Sequence, residues 1–278
     1  MNLNKFKIIQ FKLDKMVPNP AIVMIAKRRS GKSWITRDIV HHFRHIPGGV
    51  VIAPTDEMTS FYKFFFPDLY IHYECNDVLL HRILRRQILM VDKQKEKKKQ
   101  GKKVDPAGIL IMDDCLARKK AWAKDENIFT ILMNGRHFKL TYILTMQTPL
   151  GITPELRLNF DYIFLLKEDS AINKKKLWIN YASMFHTLHQ FEEVFKACTS
   201  NFCSMVIDNR GSADDIQEKV FWFKAKKRAF SFGSSEFKNM HKKYYDPTYV
   251  KKKYNKLLNP KAVFGRKRGE EEIKVEKI

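Results

Sequence analysis

The sequence predicts an α/β fold built on a mostly parallel central sheet with late antiparallel strands. Three observations carry that expectation. Short apolar runs rich in β-branched residues alternate with longer stretches of helical spacing, the pattern of successive βαβ units. The first such run leads into a basic, Gly-containing loop followed by an amphipathic stretch, and a later one ends in two adjacent carboxylates. Finally, two runs near the C-terminus flank the turn-rich Asp208-Asn209-Arg210-Gly211-Ser212, as a β-hairpin requires.

Taken in order, the run 21–26 (AIVMIA) reads as a buried strand whose short length favours strand over helix. It continues into Ala26-Lys27-Arg28-Arg29-Ser30-Gly31-Lys32-Ser33, and a helix is predicted over 34–43. Strand, loop and helix in that succession are the context of a P-loop. Phosphate binding needs a backbone that wraps the anion with N–H groups at a helix N-terminus, a lysine that reaches the β- and γ-phosphates, and a hydroxyl on Mg²⁺. Gly31, Lys32 and Ser33 stand at those places, and Ala26 replaces the usual first glycine. The competing reading is a basic strand-to-helix turn. His41, His42 and His45 fall on or just after this helix and read as solvated or phosphate-neighbouring groups rather than metal ligands.

The run 49–53 is the next strand, and the aromatic cluster 61–66 (FYKFFF) reads as core, with a base-stacking or subunit-contact surface as the alternative. Residues 93–103 (KQKEKKKQGKK) are too charged to pack and read as an exposed insertion, about 93–105, or a helix end. The strand 109–113 ends in Asp113-Asp114, the form of a Walker B element. Asp113 would hold the Mg²⁺ shell and Asp114 would orient or deprotonate the attacking water. Gln147 closes the strand 141–147, at the sheet edge where ligands bind, and is the candidate sensor of the γ-phosphate or the attacking water.

Phosphoryl transfer develops charge that an arginine can stabilise, often from a neighbouring chain. Arg136, just ahead of the 141–147 strand, is the first candidate finger and Arg157 the second; Arg28 or Arg29 could act in cis. A surface or DNA-facing charge is the competing reading for each. After the strand 162–166, His186, His189, Cys198 and Cys203 offer four borderline or soft ligands, so zinc is weighed. Their apolar and aromatic surroundings favour ordinary packing. The runs 203–207 and 220–223 form the predicted hairpin. The chain thus divides into a core over 1–223 and a basic appendage over 224–278, where 17 Lys and Arg face 6 Asp and Glu among interleaved aromatics.

A net charge of +22 points to polyanionic partners, and 44% hydrophobic residues exclude wholesale disorder. No apolar run approaches the length of a membrane span, and lysines interrupt the N-terminal segment, so neither an anchor nor a signal peptide is expected. The 4 cysteines, without a secretory signal, fit a reducing compartment.

The succession AKRRSGKS, ILIMDD, NGRHFKLTYILTMQT and PELRLNFDYIFLLK, spread over 21–209, resembles the genome-packaging ATPases of nucleocytoplasmic large DNA viruses, the poxvirus-type branch of the FtsK–HerA P-loop superfamily. The resemblance implies an additional-strand core, with the sensor strand between the Walker A and Walker B strands. It also implies MgATP as the bound nucleotide, a homo-oligomeric ring, and ATP-driven movement of double-stranded DNA into a capsid. A capsid or portal-like viral partner, and residence in host cytoplasm or virion, would follow. Many relatives carry glutamate where this chain has Asp114, and the basic C-terminal region matches no motif. Read from the residues alone, another P-loop enzyme such as a nucleotide kinase or helicase, or a non-enzymatic nucleic-acid-binding scaffold, stays open.

Overall fold

A computed structural model describes residues 6–115, 125–211 and 215–249. Among the described residues, eight strands form one sheet: β1 (Ala21–Ile25), β2 (Gly48–Ile52), β3 (Ile71–His72), β4 (Gly108–Asp113), β5 (Leu140–Met146), β6 (Tyr162–Leu165), β7 (Ser204–Asp208) and β8 (Val220–Phe223). Their order across the sheet is β3-β2-β4-β5-β1-β6-β7-β8. The six strands from β3 to β6 are parallel, and β7 and β8 are added antiparallel at one edge. The strand β5, which ends just before Gln147, lies between β1 and β4, the order that the resemblance implies. All predicted strands are present; β3 is additional to them, because a two-residue strand leaves no periodic signal.

The central strands are apolar on both sides because both faces are covered. On one face pack α1 (Lys32–His42), through Ile35, Ile39 and Val40, and the aromatic segment holding Tyr62, Phe65 and Phe66. On the other lie α2 (Asp77–Lys99), α3 (Glu126–Asn134), α5 (Ala171–Tyr181) and α6 (Leu188–Cys198), with the single-turn α4 (Pro154–Arg157) alongside. A short α7 (Ile216–Lys219) precedes β8. Gly49 permits the close approach of β2 to β4, since a Cβ there would come within 2.5 Å of the Ile109 carbonyl oxygen. The lysines of 93–99 form the last turns of α2, where positive charge complements the helix dipole. Of the two readings of that segment, helix end is the one observed.

The described part of the basic C-terminal segment lies on the core. Phe232 is fully buried and stacks on Phe66 at 4.6 Å, while Phe237, on α8 (Ser235–Tyr244), stacks on Tyr70 at 3.8 Å. Asp38 of α1, 3% exposed, accepts hydrogen bonds from the Lys226 amide at 2.8 Å and from Arg228 Nε at 3.1 Å. Residues 250–278 of that segment lie outside the described residues. Among the described residues, no helix is long and apolar enough to cross a membrane.

Candidate active site

The loop after β1 leaves the middle of the sheet. The Ala26 amide donates to Met146 of β5 at 3.0 Å and the Leu166 amide donates back to Ile25 at 3.0 Å, so the turn starts between two parallel neighbours. Ser30 Oγ donates to the Lys27 carbonyl at 2.7 Å and closes the turn. Arg29 (φ 63°) and Gly31 (φ 96°) both take left-handed backbone. For Gly31 this is free; for Arg29 it is strain of the kind that gathers at ligand-binding loops. Gly31 caps α1 without a side-chain hydrogen bond, which leaves the first N–H groups of the helix facing the loop, the arrangement that receives phosphate.

Opposite the loop, β4 ends at Asp113, and Asp114 follows with φ 52°. The Lys32 ammonium donates to the Asp114 carboxylate and stands 3.5 Å from Asp113. Gln147 Nε2 donates to Asp114 Oδ2 at 2.8 Å. Thr145, two residues earlier on β5, donates from its hydroxyl to Asp113, and its oxygen in turn accepts from the Asp114 amide at 3.2 Å. The strand order thus brings β1, β4 and β5 side by side and sets lysine, both acids and the amide at one edge. The side chains of Lys32, Asp113 and Asp114 keep 10%, 8% and 14% of their surface exposed, so their mutual field is less screened than it would be in water.

Tyr62, from the aromatic cluster, lines the same cleft beside Asp113. Burial above all, and then the negative charge of Asp113, hold its phenol proton on well beyond the ordinary range. The cleft, about 1040 Å³, also takes in Arg28, Arg29, Ser33, Trp34, Phe202, Lys224 and Lys227. Ser33 and Asp113 bring a hydroxyl and a carboxylate to this cleft, hard oxygen donors of the kind that Mg²⁺ prefers. Cys115 is turned away from that set, with Sγ donating to the Ile52 carbonyl at 3.2 Å.

Among the predicted site residues, Lys27, Arg28, Arg29, Gly31, Lys32, Ser33, Asp113 and Asp114 line one cleft, with Ala26 and Ser30 shaping its loop and Gln147 bound to Asp114. Lys27 also pairs with Asp169. Arg136 and Arg157 are elsewhere. Arg136 is paired with Asp161, whose carboxylate also accepts from the amide of Ala21, the first residue of β1. It therefore stands at the opposite edge of the sheet from Lys32 of its own chain. The Arg157 guanidinium binds the Ile152 carbonyl and Asn180 and lies 5.5 Å from the Tyr181 ring centroid. Cys198 is buried in the core, and its thiol is pushed up to about 12, chiefly by that burial. Among the described residues, no group of three or more His, Cys, Asp or Glu side chains is arranged to hold a metal ion.

Tyr62, Thr145 and Phe202 carry no assignment from the sequence. Thr145 could have been found from strand alternation, being two residues before Gln147 on the same strand. Tyr62 sits in a cluster whose residues all read as core, and Phe202 carries no sequence signal.

Strand order, P-loop and paired acids define an additional-strand P-loop NTPase fold. The chain belongs to the family of large-DNA-virus proteins that includes L437 of Acanthamoeba polyphaga mimivirus, to which it is 63% identical over 276 residues, covering 99% of this chain and 97% of that one. Protein 075L of Invertebrate iridescent virus 6 is 30% identical over 237 residues, covering 83% and 88%. No protein-family profile matches the chain. Among solved structures, the genome packaging NTPase B204 of Sulfolobus turreted icosahedral virus 2, in complex with AMPPCP, aligns with TM-score 0.53 at 14% identity over 76% of this chain and 100% of its own. B204 of Sulfolobus turreted icosahedral virus, a DNA-packaging ATPase, aligns with TM-score 0.53 at 17% identity over the same shares. These two share the fold.

Proposed function

We propose that this chain is an ATPase that drives double-stranded viral DNA into a capsid. The observation that carries the reading is the meeting of Lys32, Asp113, Asp114 and Gln147 at one sheet edge, across from a P-loop with free helix N–H groups. The fold shared with the B204 packaging NTPases, and relatives in large DNA viruses, support packaging over other P-loop chemistry.

In this reading the loop amides of 27–33 and the Lys32 ammonium bind the triphosphate, and Ser33 and Asp113 would hold Mg²⁺, which when bound would supply positive charge against the phosphates. A triphosphate draws Lys32 off Asp114 and leaves that carboxylate as the base for the attacking water. The 2.8 Å bond from Gln147 fixes the orientation of the base. Thr145 keeps Asp113 in place. Arg136, at the sheet edge far from its own Lys32 and with 61% of its side chain exposed, serves the cleft of a neighbouring copy in a ring. The excess of positive charge supplies the contact with duplex phosphates, and a capsid or portal-like protein anchors the ring.

Phosphate release from ATP, measured with and without long duplex DNA and with a small nucleotide acceptor, tests the reading. Stimulation by duplex, with no transfer to the acceptor, is expected. Transfer to the acceptor would make the chain a nucleotide kinase, and no turnover at all would make it a scaffold.

A further inference from the structure

The β7–β8 hairpin turns at the far edge of the sheet and brings both of its other ends back to the P-loop. Ser204, the first residue of β7, pairs with Phe223, the last of β8, and β7 runs antiparallel to β6. Residues just before 204 and just after 223 therefore sit at the edge that holds Lys32. Phe202, Lys224 and Lys227 line the cleft there.

Phe202 is unusual in two ways. Its side chain is large and apolar, yet the residue is 73% exposed. It and Asn201 take successive left-handed backbone, φ 59° and φ 52°, a conformation that bulky residues rarely adopt. The consequence is a ring held over the phosphate loop, where a Cβ placed on Gly31 would be 3.9 Å from Phe202 Cδ1. A residue this exposed contributes little to the core, so the strain is not offset by burial.

We propose that Phe202 is the platform on which the nucleobase of the bound triphosphate stacks. The inference rests on the reading of the P-loop as a nucleoside triphosphate site. Lys32 and the two acids place the γ-phosphate on the flank of β1 that carries β5 and β4. The base must then extend toward the other flank, where β6, β7 and β8 end in Phe202 and Lys224. Lys224 and Lys227 add positive charge beside the sugar and α-phosphate. Stacking uses the π-face that every base has, so the platform gives affinity without reading base identity. ATP and GTP should bind comparably.

The test uses the full chain with Mg²⁺ and compares affinities for ATP, GTP and inorganic tripolyphosphate by titration calorimetry. Phe202→Ala should weaken ATP and GTP by about 5- to 150-fold, the range found when a base is deprived of its aromatic partner, and leave tripolyphosphate unchanged. Phe202→Trp should restore nucleotide affinity, and Lys32→Ala should weaken all three ligands. Unchanged ATP affinity in Phe202→Ala overturns the platform; if self-association is lost instead, the ring belongs to a contact between copies. Equal loss for tripolyphosphate also overturns it, since Phe202 would then act by shaping the loop at Gly31. A wild-type chain that binds ATP far more tightly than GTP contradicts stacking as the base contact. Failure of the wild type to bind any of the three removes the nucleotide reading itself, and the platform with it.

Discussion

Gln147 and Asp114 are joined by a 2.8 Å hydrogen bond from the amide nitrogen of one to the carboxylate of the other, across the boundary between β5 and β4. The bond leaves Asp114 positioned by a neutral donor as well as by the Lys32 ammonium. If Asp114 is the base, Asp114→Asn should bind ATP with near-wild-type affinity and lose about 10²–10⁴-fold in kcat. Gln147→Ala should show a smaller loss of kcat, also without loss of affinity. Single-turnover hydrolysis with a parallel binding titration separates the two effects; an equal loss of affinity in both variants would contradict the roles assigned.

Arg136 tests communication between copies. If it acts on a neighbour, mixed rings of Arg136→Ala and Lys32→Ala chains should recover part of the activity that each lacks alone, because some interfaces then pair an intact finger with an intact P-loop. Its pairing with the largely buried Asp161 adds a cost: Arg136→Ala should lower stability by about 1 kcal/mol or somewhat more, read by urea denaturation. No recovery in rings shown to co-assemble would count against the trans role of Arg136 and move the finger assignment to Arg157 or, in cis, to the P-loop arginines.

Asp38 is the buried tie between α1 and the segment after β8. Asp38→Ala leaves the Lys226 amide without its acceptor and removes the partner of Arg228 Nε. Stability should fall by about 1–3 kcal/mol, measured by thermal or urea unfolding. An unchanged midpoint would mean that the segment is not held through this carboxylate.

Removing residues after 249 leaves the packed aromatics Phe232 and Phe237 in place. Removing 250–278 takes away 10 Lys and Arg against 4 Asp and Glu. If these residues bind DNA, the slope of log affinity against log salt should flatten by about 0.9 for each phosphate they had neutralised, and basal hydrolysis should persist because every residue placed at the nucleotide cleft, Phe202, Lys224 and Lys227 included, precedes residue 250. An unchanged slope, with native assembly, would assign the segment to a capsid or other partner instead.

Much of this architecture was legible because buried parallel strands need unbroken apolar runs, and the runs at 21–26, 49–53, 109–113, 141–147 and 162–166 have no other good use. The site was legible where chemistry fixes residue types at fixed offsets from those strands: Gly31, Lys32 and Ser33 after the first, Asp113 and Asp114 at the end of the third, Gln147 at the end of the fourth. What periodicity cannot carry stayed hidden. The strand β3 is too short to repeat, and Tyr62 differs from its aromatic neighbours only by where the chain folds. Phe202 owes its place to left-handed backbone at two residues, neither of them glycine. The packing of 224–249 depends on single aromatics, Phe232 and Phe237, set in a stretch whose composition is dominated by charge.

The most direct test of the central claim is the rate of phosphate release from MgATP by the full chain at saturating long duplex DNA, compared with the same chain carrying Lys32→Ala. The arrangement of Lys32, Asp113, Asp114 and Gln147 predicts turnover that rises with duplex DNA and is lost with Lys32. Turnover equal in both chains, or none in either under conditions where the protein is folded and assembled, would contradict it.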